Sequence, residues 1–204
     1  HLLVDLLDRA QRLLRLGVVF EQPVSGFDAG DVVLSGTAGA TSATVTDSGD
    51  HRNYAITVSG MQWDGTVSVA VPAGVAVNQY GALNTASASA DDTVTYEVTR
   101  PTVTVNQASG QMDPTDQGEV HFTAVFSEPV YGFDAPSDVT LSGSAQPRYV
   151  QITNSGDFRT YDIAVCGMTG EGTISAAIAQ DAATDAAGNG VLAPTSADNT
   201  VRYD

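Results

Sequence analysis

The sequence has a single cysteine, Cys166, so it can form no intrachain disulfide and no multi-cysteine zinc site. It has no lysine: eight arginines face 24 acids, for a formal charge of -16. Such a field repels polyanions, which excludes nucleic acid and anionic lipid as expected partners. No run of 18 apolar residues occurs, so nothing reads as a membrane-spanning helix. Charged residues make up only 16 % and hydrophobic ones 42 %, a balance too apolar for a disordered chain. The first residue is His1 rather than Met, and the chain is expected to be a fragment or processed product whose signal and anchor lie outside it.

What is abundant is Gly, Ala, Ser, Thr, Val and Asp, the usage of short strands joined by tight turns. The chain also repeats itself. FEQPVSGFD at 20–28 matches FSEPVYGFD at 126–134, a shift of 106 that becomes 107 after one inserted residue near Pro136. Under that shift DVVLSG at 31–36 meets DVTLSG at 138–143, SGD at 48–50 meets SGD at 155–157, and Tyr54 meets Tyr161. SGM at 59–61 meets CGM at 166–168, and DDTVTY at 91–96 meets DNTVRY at 198–203. A period of this length identifies two tandem modules of about 100 residues each.

In the second copy, period-two alternation predicts strands at 102–106, 119–126, 138–142, 149–153, 160–166, 173–179 and 200–203. Val120, Phe122, Ala124 and Phe126 share one face, as do Tyr161, Ile163 and Val165. Seven short strands of this kind predict an all-β fold of two tandem immunoglobulin-like β-sandwiches with Greek-key connections. The join, EVTRP at 97–101, is short and contains proline, which limits hinge freedom.

The motifs F-[SE]-[EQ]-P-V-x-G-F-D-A, D-V-x-L-S-G, Y-x-I-x-V-[SC]-G-M, D-A-A-G-N and D-[DN]-T-V-x-Y-[DE] resemble those of bacterial Ig-like repeats, over roughly residues 20–204. Such repeats occur in arrays in secreted and cell-surface proteins, adhesins among them. The resemblance implies an extracellular or surface location, neighbouring Ig-like repeats as partners, calcium that stiffens the modules, and a stalk role that projects a distal binding region.

The start departs from the repeat. Leu3, Leu6, Leu7, Ala10, Leu13, Leu14 and Gly17 recur at steps of three and four, and Asp5 with Arg9 and Asp8 with Arg12 are favourable i,i+4 pairs. This pattern predicts an amphipathic helix over 1–17, either a partner- or membrane-surface helix or a foreign start whose apolar face covers the core. The expected domains are that segment, a first module over 18–98 lacking its first strand, and a complete second module over 99–204.

No catalytic constellation is present, and the chain reads as a non-enzyme. Cys166 aligns with Ser59 on a strand, and His1, His51 and His121 show no ligand spacing. Calcium has the one physical case. Asp181, Asp185 and Asn189 put three oxygen-bearing side chains in one loop, and Glu128 and Asp198 could approach the same end of the module. Asx turns that close the loop account for the same residues. The first copy carries Gly74, Asn78, Ala82 and Gln22 at the positions of Asp181, Asp185, Asn189 and Glu128, so a calcium site here predicts binding in the second module alone. The rival function is an accessory ligand-binding module of a larger secreted enzyme or adhesin, in which Trp63, with Tyr80 or Tyr131 nearby, stacks on a sugar ring; the same Trp could instead cover the end of a core.

Overall fold

The computed structural model of the chain describes residues 2–8, 13–88 and 92–204, the first stretch as backbone only. The chain divides into two compact units, His1–Thr99 and Arg100–Asp204, each with its own core.

The first unit holds β1 (Leu2–Asp8), β2 (Leu13–Val19), β3 (Val24–Ser25), β4 (Val33–Ser35), β5 (Ser42–Asp47), β6 (Asn53–Ser59), β7 (Gly65–Ala70), β8 (Val77–Asn78) and β9 (Thr93–Tyr96). They form a four-stranded sheet in the order β1-β2-β6-β5, a three-stranded sheet β4-β7-β9 and the short pair β3-β8. The second unit holds β10 (Val103–Gln107), β11 (Glu119–Phe126), β12 (Val139–Ser142), β13 (Tyr149–Asn154), β14 (Thr160–Cys166), β15 (Gly172–Ile178) and β16 (Thr200–Tyr203). Its sheets run β10-β11-β14-β13 and β12-β15-β16, the order of the first unit again. All the pairings in these sheets are antiparallel.

Alternation sets which face is buried. Val120, Phe122, Ala124 and Phe126 of β11, Tyr161, Ile163 and Val165 of β14, and Ile174, Ala176 and Ile178 of β15 all enter one core, so both sheets of the unit close over the same interior. In the first unit Leu14, Leu16 and Val18 of β2, Tyr54, Ile56 and Val58 of β6, and Val67 and Val69 of β7 do the same. With no disulfide available, this burial is the main stabilising term.

Three rings mark the end of each core. Phe126, Phe133 and Tyr161 meet edge to face with centroids 5.1–5.6 Å apart. Phe20, Phe27 and Tyr54 repeat the arrangement at 5.1–5.7 Å. Edge-to-face contact sets the positive ring edge on the negative face of its neighbour. Each tyrosine hydroxyl donates to the backbone beneath it, Tyr161 to Val130 O and Tyr54 to Val24 O, both at 3.2 Å. Burial raises the pKa of both phenols, with the nearby aspartates adding to it.

The amino-terminal segment corrects two expectations. Leu2–Asp8 and Leu13–Val19 are antiparallel strands, with Leu7 opposite Leu14 and Leu2 opposite Val18, and not the helix that the three-four spacing predicts over 1–17. Residues 1 and 9–12 of that segment lie outside the described residues. The first unit therefore does not lack its first strand outright, because β1 occupies the sheet position that β10 occupies in the second unit. The physical reason is tertiary. Leu14, Leu16 and Val18 also alternate, and as a strand they lie beside Val58, Ile56 and Tyr54 on the sheet face that enters the core.

One backbone position in each copy demands glycine. Gly143, at the end of the DVTLSG motif, has φ +123°, and a Cβ there would overlap the Thr173 carbonyl; Gly36, at φ +109°, faces Thr66 in the same way. Gly156 also has positive φ, +100°, but has open space around it. Gly143→Ala is expected to cost the second unit about 3 kcal/mol and Gly156→Ala about 1 kcal/mol, because only the first adds a steric clash to the strain. Thermal unfolding of the two variants checks this, and equal losses would show that the clash is relieved at no cost.

Candidate metal centre

Several acids among the described residues close turns. In the hairpin between β5 and β6, Asp47 Oδ1 accepts from the Gly49 and His51 N–H groups, and Asp50 Oδ1 accepts from those of Asn53 and Arg52. The Asn53 and Arg52 amides hold the Asp50 carboxyl down at about 2. In the matching hairpin between β13 and β14, Asn154 and Asp157 play the same parts toward Gly156, Phe158, Thr160 and Arg159. Asp64 is likewise depressed, by the Thr99 hydroxyl and then the Val98 amide. These carboxylates are already occupied by donors of their own chain.

A different arrangement sits at one end of the second unit, where the chain leaves β11 and where the loop after β15 folds back. Asp185 is 3 % exposed, buried at the centre of its loop. Its Oδ1 accepts from Asn189 N–H at 2.8 Å and its Oδ2 from Asn189 Nδ2 at 2.9 Å, while its own N–H donates to Asn189 O at 3.1 Å. The loop D-A-A-G-N is thus a closed Asx turn. Glu128, half-buried and preceding Pro129, brings a carboxylate oxygen within 4.8 Å of one on Asp185. Both side chains bring hard carboxylate oxygens to this end of the unit.

The first unit shows the neutral form of the same geometry. Gln22 and Asn78 stand at the positions of Glu128 and Asp185, and Asn78 Nδ2 donates to Gln22 Oε1 at 2.8 Å. Asn78 Oδ1 accepts from the Tyr80 and Ala82 N–H groups, Ala82 being the counterpart of Asn189. There the amide pair closes on itself; in the second unit two acids stand at the same positions.

Of the five residues expected to form a calcium site, the structure gathers Glu128, Asp185 and Asn189. Asp181 lies in the same loop, but its carboxylate is paired with the Arg100 guanidinium, which also donates to Gly190 O and Val191 O at 2.6 and 3.0 Å. A cation ligand is poorly served by an oxygen already held by a guanidinium. The role of Asp181 is also conformational: its φ is +61°, and its counterpart Gly74 has φ +83°. Asp198 is elsewhere. Its backbone carbonyl accepts from Gln107 N–H and its side chain from Gln107 Nε2, at the far end of β10 from Pro101, whose carbonyl meets Leu192 at the end of the loop. Six residues of extended chain separate these points by about 20 Å. Glu128, Asp185 and Asn189 offer the hard oxygen donors that suit Ca²⁺, and they fit that ion in donor type.

The aromatic residues fall differently from expectation. Trp63 is 60 % exposed, and one face of its ring lies over the Cβ-less backbone of Gly39. Tyr80 is in the loop closed by Asn78, at the opposite end of β7, about 20 Å away along the strand, so Trp63 and Tyr80 form no common platform. Tyr131 instead packs against Phe158, with centroids 5.5 Å apart and both rings about half exposed. Sequence alternation gave no signal for that pair, because Ser25 and His51 hold its positions in the first copy.

Other titratable groups form local pairs. His121 Nδ1 lies 3.0 Å from Asp162, and His51 Nδ1 lies 2.6 Å from Asp47. Cys166 is half-buried at the end of β14, opposite Glu119 and Tyr149. Among the described residues no helix is long and apolar enough to cross a membrane. No protein-family model matches the chain, and no curated protein matches it.

Proposed function

We propose that the chain is a pair of immunoglobulin-like modules that serve as a structural extender in an extracellular or cell-surface protein, supporting adhesion by carrying a distal binding region. One observation carries this reading: two copies keep the scaffold and let the loops diverge. Sheet order β10-β11-β14-β13 with β12-β15-β16 corresponds to strands A-B-E-D and C-F-G of a constant-type immunoglobulin sandwich, and the first unit repeats it. The ring cluster, the tyrosine hydrogen bond and the Asx hairpin recur in both copies. Trp63, Glu128, Asp185 and the Tyr131–Phe158 pair do not. A binding module would be expected to keep its ligand constellation and an enzyme its reacting groups; a spacer needs only its fold. The resemblance to bacterial Ig-like repeats points the same way.

A spacer bears load as folded units. Pulling the full chain from its ends in a single-molecule force experiment is expected to give two unfolding events, each releasing about 35 nm of contour length, the reach of about 100 extended residues. Unfolding at no resolvable force would count against the role.

We further propose that the second unit binds Ca²⁺ through Glu128, Asp185 and Asn189, with backbone carbonyls or water completing the shell. The support is the paired carboxylates beside a buried Asx turn, set against the self-satisfied amide pair of the first unit. Calcium is then expected to raise the melting temperature of the second unit, by about 2.7 kcal/mol of stability at a hundredfold excess over the dissociation constant. Glu128→Gln with Asp185→Asn restores the amide pair, so the double variant should be more stable than the parent in chelator and indifferent to calcium. A parent whose melting is unmoved by millimolar calcium would remove the metal from the account.

A further inference from the structure

The glycine at position 39 is required by a neighbouring side chain and not by its own backbone. Gly39 has φ +74°, yet Gln146 holds the matching place in the second unit at φ +54°, so a side chain is tolerated in that conformation. What forbids one in the first unit is Trp63: a Cβ on residue 39 would stand 2.6 and 2.7 Å from its Cζ3 and Cε3 atoms. In the second unit Gly170 replaces the tryptophan, and Gln146 instead accepts from the Thr169 hydroxyl at 3.1 Å. Ring and glycine therefore change together between the copies.

The loop beneath them is common to both units. Gln62 N–H and Trp63 N–H donate to Ala38 O at 2.9 and 3.3 Å, and Thr169 N–H donates to Ala145 O at 2.9 Å. Ala38 and Ala145 are fully buried. The seat is thus part of the scaffold, and the ring is an addition to it. Trp63 covers no core, being 60 % exposed and outside the buried cluster of its unit. With one face on the Gly39 backbone and the other in water, it forgoes the burial that a side chain of its size ordinarily gains.

Its surroundings narrow the ligand. Residues 32–46 and 53–63 carry no charged side chain, and the adjacent acid, Asp64, is engaged by the Val98 and Thr99 N–H groups at 2.6 and 3.1 Å. In the loops 36–41 and 60–65 Trp63 is the sole large apolar side chain that is exposed, and its exposed uncharged polar companions are Thr37, Thr41 and Gln62. A protein interface needs several anchors over about 800 Å² per partner, which one ring does not supply. A cationic ammonium group is held by a cage of rings. A stacked nucleotide would bring phosphate into the field of a chain with charge -16. A neutral pyranose with equatorial hydroxyls meets none of these objections. It presents a flat C–H face to the indole, and its hydroxyl rim suits hydroxyl and amide groups.

We propose that Trp63, seated on Gly39, is a stacking site for an uncharged, β-linked glucose-type sugar, whose ring hydroxyls are met by Thr37, Thr41 and Gln62. The site belongs to the first unit alone and does not depend on the chain being an extender.

Trp63 is the only tryptophan of the sequence, so its emission reports the site directly. Titration of the full chain with a β-1,4-linked glucose hexasaccharide is expected to give a saturable blue shift of that emission. Trp63→Ala should lower the calorimetric affinity at least about tenfold while leaving thermal unfolding nearly unchanged, because the ring is outside the core. Gly39→Gln installs the side chain that the second unit carries at this place; it should keep the fold, displace the ring and weaken binding at least about fivefold. A galacturonate oligomer of the same length should bind more weakly than the neutral one, since its carboxylates meet the net negative charge. No shift with the glucose hexasaccharide, or equal affinity of the parent and either variant, would overturn the proposal. So would a dimer in sedimentation equilibrium whose tryptophan emission is already blue-shifted without sugar, which would assign the ring to a second copy.

Discussion

The contact on which each unit depends is the meeting of one tyrosine with two phenylalanines at the end of the core. Phe126 comes from the last residue of β11, Tyr161 from β14 beside it, and Phe133 from the segment that crosses to the other sheet. Packing the third ring against the first two fixes where that crossing lies, and the tyrosine hydroxyl ties it down at Val130. The most complete stretch of the repeat, F-x-x-P-V-x-G-F-D, spells out this crossing. It holds two rings seven residues apart, a proline after the first and a glycine at φ +81° or +87° before the second. Burial of the rings offsets the entropy of ordering an irregular segment that no disulfide restrains.

Because the crossing is fixed, the residues on it are presented identically in both units, and small changes there alter chemistry without altering fold. Glu128 and Gln22 follow the first ring of their clusters by two residues, and each faces the Asx turn made by Asp185 or Asn78. Two amides satisfy each other. Two acids of the same shape put carboxylate oxygens in place of the amide N–H groups, the ligand type of the proposed calcium site. The difference between a neutral latch and a charge-bearing site is one nitrogen for one oxygen, made twice.

The second copy was legible almost to the residue. Period-two alternation placed all seven strands within one residue of their observed ends, since each has one face in water and one in the core. The first strand pair of the first copy was not legible. Leu-rich sequence with acid-arginine pairs satisfies a helical stripe and an alternating strand at once, and only the presence of Ile56 and Val58 across β2 decides between them. Site residues were half legible. Loop spacing predicts that Asp185 and Asn189 meet, as they do, and Glu128 lies near Asp185. Asp181 and Asp198 went astray because sequence proximity does not show that Arg100 reaches the first, nor that the second opens a strand one β10 length away.

The central claim is that one scaffold occurs twice and that each occurrence is held by its own ring cluster. Native-state hydrogen exchange on the whole chain tests this directly, by comparing the opening free energies of amides on the two central strands. Phe126→Ala should lower the opening free energies of the Ile163 and Val165 amides on β14 and leave those of Ile56 and Val58 on β6 unchanged, because each ring cluster supports its own core. Unchanged protection on β14, or an equal loss on β6, would contradict the account.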